Sequence, residues 1–203
     1  MERDRRVKII GVPVSAVNLS SCIRYLKENF DCARGRYLCV SNVHTTVLAH
    51  DDPGYRRIQA ESFLSLPDGK PLSVLGRRQA PGMDRVTGMD FFRSCLKLSG
   101  QEGYRHYFYG NRQENLQKLL EVIRRDYPQA SIVGWEPSRF RDLTQEEADS
   151  LAERIRASGA DFVWVGLGAP RQEIFCASLQ GKTNAVMVGI GGVFDFCLYV
   201  LLN

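Results

Sequence analysis

The stretch Asp161-Phe162-Val163-Trp164-Val165-Gly166 decides the fold class. It is a nearly unbroken apolar run, and it passes straight into Leu167-Gly168-Ala169-Pro170-Arg171-Gln172-Glu173. A second run of the same kind spans Asn184–Gly189 and leads into Ile190-Gly191-Gly192-Val193-Phe194-Asp195. Runs this apolar suit strands of a parallel sheet covered on both faces, each followed by a glycine-bearing loop.

Working outward, strand-like and helix-like segments alternate along the chain. Val7–Val12 reads as an apolar run ended by Pro13. Asn18–Phe30 reads as a helix with Leu19, Cys22, Ile23, Leu26 and Phe30 on one face, and Arg36–Ser41 as a strand. Val43–His50 and Tyr55–Glu61 are helical pieces around the Asp51-Asp52-Pro53-Gly54 break. Phe63–Leu66 is a strand ended by Pro67-Asp68-Gly69, Gly88–Ser99 a helix, and Tyr104–Tyr109 an aromatic strand. Asn111 is placed to cap a helix whose Leu116, Leu119, Leu120, Ile123 and Tyr127 follow helical spacing. Ser131–Trp135 is a strand. Thr144-Gln145-Glu146-Glu147 is a capping box opening a helix with Ala148, Leu151, Ala152 and Ile155 inward. No repeat, linker or low-complexity stretch interrupts the series. The expectation is one α/β domain over residues 1–203, Rossmann-like and doubly wound, with a mainly parallel sheet and helices on both faces.

Composition agrees. The 203 residues are 44% hydrophobic and 25% charged, which excludes a disordered tail, a collagen-like repeat and a disulfide scaffold. Lys+Arg 27 against Asp+Glu 23 gives +4, with a sequence pI of about 8.8. That is weaker than the clustered basic charge of a nucleic-acid binder, and compatible with phosphates or lipid head groups. Cys22, Cys32, Cys39, Cys95, Cys176 and Cys197 form no Cys-x-x-Cys pair, and three histidines add no metal-ligand spacing. Reduced, mostly buried thiols in a cytosolic compartment are expected. No signal-peptide core follows the charged start. Residues 185–202, AVMVGIGGVFDFCLYVLL, are long enough to raise a membrane span. Asp195 would cost about 2.5–3.5 kcal/mol inside one, and three glycines break it. A core strand, a glycine loop and the start of a helix are expected instead.

Ligands of open α/β sheets bind beyond the carboxyl ends of the strands, so the chemistry is sought in the loops that follow strands. In Gly166-Leu167-Gly168-Ala169-Pro170-Arg171-Gln172-Glu173 two glycines let a phosphate approach backbone. Pro170 suits a first helical turn whose free N–H groups and dipole favour an anion. A glycine-rich connection between strand and helix accounts for the same residues. The dinucleotide fingerprint is broken, because Arg171 and Gln172 fall where its third glycine belongs. The Gly189–Asp195 loop carries a weaker signal and is better read as close packing of backbone against a helix. Asp68 is an ordinary turn residue by type, yet a carboxylate just after a strand could accept a proton from an attacking hydroxyl. Asn42 either contacts a ligand or caps the next helix, and His44 is read as an ordinary histidine. Arg85 could reach a diphosphate, and Thr87 to Asp90 could simply begin a helix. Tyr104, Tyr107, Phe108 and Tyr109 are read as core and sheet surface. No Asp-x-Asp, Gly-x-Ser-x-Gly or Walker loop is present.

The loops, taken together and in order, resemble the WecG/TagA/CpsF family of bacterial glycosyltransferases. The matching stretches are Gly11-Val12-Pro13-Val14, Ser41-Asn42, Leu66-Pro67-Asp68-Gly69 and Arg85-Val86-Thr87-Gly88-Met89-Asp90. Gly110, Gly166-x-Gly-x-Pro-Arg-Gln-Glu173 and Gly189-x-Gly-Gly-x-Phe-Asp195 complete them. Each motif alone is weak; the ordered set is specific and covers nearly the whole chain.

The resemblance implies inverting, metal-independent transfer of a sugar, often N-acetylmannosamine, from a UDP-sugar to a polyprenyl-diphosphate-linked saccharide in cell-wall or surface polysaccharide synthesis. It places the enzyme at the cytoplasmic face of the bacterial membrane, with a homo-oligomer as a candidate assembly and no cofactor. It makes Asp68 the catalytic base and Asn42 and Gln172 contacts to the donor sugar. Arg85, Asp90, Gly110, Gly166, Gly168, Pro170, Arg171, Glu173 and Gly192 fall on the substrate-binding side. Two features depart from the pattern. Teichoic-acid members carry a hydroxyl residue where this chain has Val40. Members also continue past Phe-Asp-Phe into a basic amphipathic segment that contacts membrane and acceptor, which this sequence is expected to lack. The rival readings are a nicotinamide-dependent oxidoreductase and a non-catalytic sugar-nucleotide-binding module.

Overall fold

A computed structural model describes residues 4–194. Its centre is the all-parallel six-stranded sheet that the apolar runs predict, in the order β4-β3-β8-β7-β5-β6. The strands are β3 (Tyr37–Ser41), β4 (Leu64–Pro67), β5 (Arg105–Gly110), β6 (Ser131–Glu136), β7 (Phe162–Gly166) and β8 (Val186–Gly189). Phe162, Val163, Trp164 and Val165 in the middle of the sheet are fully buried. Side chains alternate across a strand, and the core divides accordingly. Phe162, Trp164, Phe108, Val188 and Leu38 point into one cluster. Val163, Val165, Tyr109, Met187 and Cys39 point into the other.

Helices cover both faces, as a doubly wound fold requires. The first cluster is closed by α1 (Leu19–Glu28), α2 (Phe30–Ala33), α6 (Gly88–Glu102) and α7 (Gln113–Asp126). The second is closed by α8 (Gln145–Ser158) and α9 (Arg171–Ser178), with α4 (Pro53–Glu61) lying against α9. The Thr144 capping box forms as expected, with the Thr144 hydroxyl on the Glu147 N–H and the Glu147 carboxylate on the Thr144 N–H. The aromatic strand is core: Tyr107, Phe108 and Tyr109 are all buried. Cys22, Cys39, Cys95 and Cys176 are buried free thiols and Cys32 is exposed; Cys197 lies outside the described residues.

Several expectations change. Val7–Val12 is not one strand, because Ile10 and Gly11 both take positive φ and turn the chain into a hairpin of β1 (Arg6–Ile9) and β2 (Val12–Ser15). Pro13 therefore sits inside β2 opposite Lys8, where a two-stranded ribbon tolerates its missing N–H. The segment Lys70–Arg77, unassigned from sequence, is helix α5, with Pro71 in its first turn. Its Gly76 packs so tightly on Met83 that a Cβ would lie 2.2 Å from the sulfur, which explains a poor helix former in a helix. Asn111 does not cap α7. It occupies the left-handed region, and Arg112 is the capping residue, with no side-chain bond. Pro170 precedes the first turn of α9 as its cap residue, after a cis Ala169–Pro170 bond. The strand and helix start expected after Asn184 are present as β8 and residues 191–194, but the glycine loop between them shrinks to Ile190, with Gly191 and Gly192 already in the helix. Asp195 and the rest of that apolar stretch lie outside the described residues. Among the described residues no helix is long and apolar enough to cross a membrane.

The sheet core holds one titratable group whose proton is fixed by its neighbours. Trp164 Nε1–H donates to His106 Nδ1 at 3.0 Å, so His106 Nε2 carries the ring proton and donates to Ser99 Oγ at 2.6 Å. Burial drives the His106 pKa down to about 4, against a minor upward pull from Asp161. Above about pH 6.5 the ring is neutral folded or unfolded and contributes nothing. Below that, the unfolded chain takes the proton first, so stability falls as pH drops from about 6.5 toward 4. Between pH 7.5 and 5 the loss from this group is about 2 kcal/mol. Urea unfolding at both pH values checks it: His106→Gln is expected to be less stable at pH 7.5 but to lose less between the two. Parallel pH curves for the two proteins would refute it.

Candidate active site

Parallel strands end on the same side, and the ends of β3, β4 and β8 with the start of α9 enclose a cleft of about 410 Å3. Asn42, Asp68, Arg85, Gln172 and Gly192 all line it, so the structure brings together five residues chosen from sequence. The rest of the wall, which includes Thr87, Met89, Ala169, Ile190 and Val193, falls inside the quoted motifs without having been singled out, and Val40, noted from sequence as a departure, lines the cleft as well. Their residue types carry no chemical signal, and only the strand order puts them at one place.

Asp68 is set by backbone first. Its N–H donates to the Ser41 carbonyl at 2.8 Å, tying the end of β4 to β3. Its Oδ2 accepts from the Gly88 N–H at 3.3 Å, and Arg85 Nε lies 3.9 Å from Oδ1. Burial raises the Asp68 pKa; the Gly88 N–H and the Arg85 charge pull it back, and Asp90 adds to the rise. The carboxylate is thus a base stronger than a surface aspartate, still 26% exposed to the cleft.

Asn42 is both a cap and part of the wall. Its Oδ1 accepts from the Thr45 N–H at 3.0 Å and its own N–H donates to Thr45 Oγ1, forming the capping box of α3 (Val43–Asp51). With Oδ1 committed, Nδ2 is the group it can offer a ligand. His44, on the first turn of α3, is exposed. Three helices, α3, α6 and α9, start around the cleft, so their positive dipole ends converge there.

Gly189 and Gly191 serve the close packing against a helix that the sequence favours for their loop. A Cβ on Gly189 would lie 2.8 Å from Gln172 Cγ, and one on Gly191 2.8 Å from Gln172 Oε1. Gln172 is itself buried, its Oε1 accepting from the Gly191 N–H at 2.9 Å and its Nε2 donating to Glu173 Oε1 at 2.9 Å. Gly110 and Gly166 do not line the cleft: a Cβ on Gly110 would meet the Gly166 carbonyl at 2.4 Å, and one on Gly166 the Phe194 ring at 2.8 Å. Gly168 and Pro170 shape the entry to α9 without joining the lining. Asp90 is exposed and accepts from the Thr87 hydroxyl at 2.7 Å in the first turn of α6. Arg171 turns to another hollow, pairing with Asp142 at 3.0 Å. Glu173 is buried behind Gln172. A further hollow, of about 200 Å3, lies by Glu136, Arg139, Glu147 and Arg154. There Arg154 pairs with Glu136 and Arg139 with Glu147, so its charges are largely matched.

Comparison with known proteins matches the same stretch. The profile of the glycosyl transferase WecG/TagA/CpsF family covers residues 7–197. An N-acetylglucosaminyldiphosphoundecaprenol N-acetyl-beta-D-mannosaminyltransferase of Bacillus spizizenii is 31% identical over 180 residues, spanning 87% of this chain and 68% of the relative. A Bacillus subtilis protein with the same description is 28% identical over 190 residues, spanning 92% and 72%.

Two outcomes follow from the site alone. Because burial raises the Asp68 pKa, its charged form opposes folding at neutral pH, and Asp68→Asn is expected to raise the melting temperature at pH 7. A lower one would show that Gly88 and Arg85 outweigh burial. Gly189→Ala is expected to lose about 1–3 kcal/mol of stability by overpacking against Gln172, read by urea unfolding; an unchanged midpoint would mean that the amide moves freely.

Proposed function

The chain belongs to the WecG/TagA/CpsF family of glycosyl transferases, and from that premise we propose that it moves N-acetylmannosamine from UDP to a polyprenyl-diphosphate-linked N-acetylglucosamine. The relatives' descriptions support this choice of sugar and acceptor. The observation that carries the mechanism is Asp68, a half-buried carboxylate of raised basicity in a cleft ringed by helix N-termini.

In this reading the acceptor hydroxyl oxygen attacks the anomeric carbon from the face opposite UDP. The new C–O bond forms as the bond to the β-phosphate oxygen breaks, so the configuration inverts. The hydroxyl proton passes to Asp68, and the bonding pair leaves with UDP. Asn42 and Gln172 contact the donor sugar. Arg85 and the converging helix starts receive the charge that develops on the diphosphate. Among the described residues no group of three or more His, Cys, Asp or Glu side chains is placed to hold a metal ion, and metal-independent transfer is part of the proposal. Peripheral association with the cytoplasmic membrane face follows from a lipid-linked acceptor.

Asp68→Asn is expected to slow transfer about 100- to 10,000-fold while UDP binding by calorimetry stays near wild type; retained transfer would remove Asp68 from the base role. A base must be ionised, so kcat/KM is expected to rise with pH through the raised Asp68 pKa and to level off above it. Excess EDTA is expected to leave the rate unchanged. Thermal stabilisation by NAD and not by UDP would favour the oxidoreductase reading instead.

A further inference from the structure

Behind the cleft wall lies a polar cluster that the proposed reaction does not use. Glu173 is 1% exposed, and only its Oε1 has a partner, the Gln172 amide. Its Oε2, the Tyr55 hydroxyl and Gln59 Oε1 are buried together: Tyr55 stands beside both Glu173 and Gln59, but none of the three atoms makes a hydrogen bond of full geometry among the described residues. Tyr55 and Gln59 come from α4, which packs on α9, and the Tyr55 hydroxyl sits close enough to feel both Gln59 and the Glu173 charge. Burial also raises the pKa of Glu173. A buried polar atom short of a hydrogen bond is costly, and an apolar side chain of the same shape would avoid that cost. A carboxyl kept at such a place calls for a role.

The role is legible in what Glu173 touches. A glutamine amide has ends of nearly equal shape, so sterics alone do not decide which faces which way; its partners do. At Gln172 one partner is a donor, the Gly191 N–H, and the other is an acceptor, Glu173 Oε1. Together they admit one orientation. One Nε2–H is consumed by Glu173, which leaves the other N–H of a residue that lines the cleft.

We propose that Glu173 is a positioning residue: its carboxyl locks the Gln172 amide so that one N–H faces the nucleotide-sugar in the cleft. The ligand half of this statement rests on the function proposed above; the locking half stands on the geometry alone. Glu173 thereby links α4 and α9 to the loop after β8, and acts on the ligand only through Gln172.

The test uses Glu173→Met, which removes the acceptor at similar volume, and Glu173→Gln, whose carbonyl can still accept. The first readout needs no ligand: the side-chain amide protons of Gln172 by NMR, assigned by their loss in Gln172→Ala. Slow exchange with water is expected in wild type and E173Q, and exchange about tenfold faster in E173M. If E173M does not fold, Tyr55→Phe takes its place, with a several-fold change expected. Unchanged Gln172 exchange in the folded variant overturns the locking. The second readout is affinity for UDP-N-acetylmannosamine by calorimetry. E173M and Q172A are each expected to weaken this donor about tenfold, E173Q less than about threefold, and the double variant Q172A/E173M no more than Q172A alone. An equal further loss in the Q172A background would make Glu173 a general packing residue and overturn the proposal. Failure of the wild-type chain to bind UDP would refute the proposed function, while the amide exchange would still decide the locking.

Discussion

Close backbone approach at the carboxyl ends of β5, β7 and β8 is the constraint on which the cleft depends. Gly110 lies against the Gly166 carbonyl, Gly166 against the Phe194 ring, and Gly189 and Gly191 against the Gln172 side chain. Each contact is too short for any Cβ, so the glycines form a chain of spacers across the strand ends. Interiors are packed without slack, and a methyl group at any link must move the next. The segment of residues 191–194 can fold back over β7 only because Gly166 leaves room for Phe194. Gln172 can reach the Gly191 N–H only because Gly189 and Gly191 leave room for its amide. The site is thus held by absent side chains as much as by present ones.

That arrangement explains which parts were legible in the sequence. The runs at 161–166 and 184–189 announce buried parallel strands because both faces of such a strand must be apolar. The Thr144 box announces its helix because capping is local chemistry. The hairpin at Ile10-Gly11 was missed because one apolar run hid a positive-φ turn in which only one of the two residues is glycine. Helix α5 was missed because Gly76 and Pro71 argue against a helix, and the reason for Gly76, the Met83 sulfur, comes from outside the helix. At the site, Asn42, Asp68, Gln172 and Gly192 could be named from the loops that follow strands, and Arg85 from the motif that leads into α6. The partners of Gly110, Gly166 and Arg171 could not, since a residue type says that something is close and not what it is.

The same loops carry opposing electrostatic demands. Carboxylates are costly to bury, yet two stand at or behind this cleft. Helix starts at α3, α6 and α9 supply partial positive charge near them without a mobile cation, and the Gly88 N–H delivers part of it directly to Asp68. The field that steadies Asp68 also suits an anionic leaving group. A base kept too well neutralised would lose its affinity for a proton, so a single N–H at 3.3 Å and a guanidinium at 3.9 Å form a compromise: enough to hold the side chain, too little to cancel the upward effect of burial.

Asp68 and Glu173 separate cleanly on these terms. Both have pKa values raised chiefly by burial, so a titration argument alone would assign them similar chemistry. Their neighbours decide otherwise. Asp68 keeps an open side to the cleft and an arginine within reach, so its proton can be exchanged with a bound hydroxyl. Glu173 touches an amide, a tyrosine and a glutamine, feels the exposed His44 only through its charge, and is sealed from solvent. One environment suits proton transfer and the other suits holding a side chain still. Environment divides like residues into unlike roles, and the division here runs along the wall formed by Gln172.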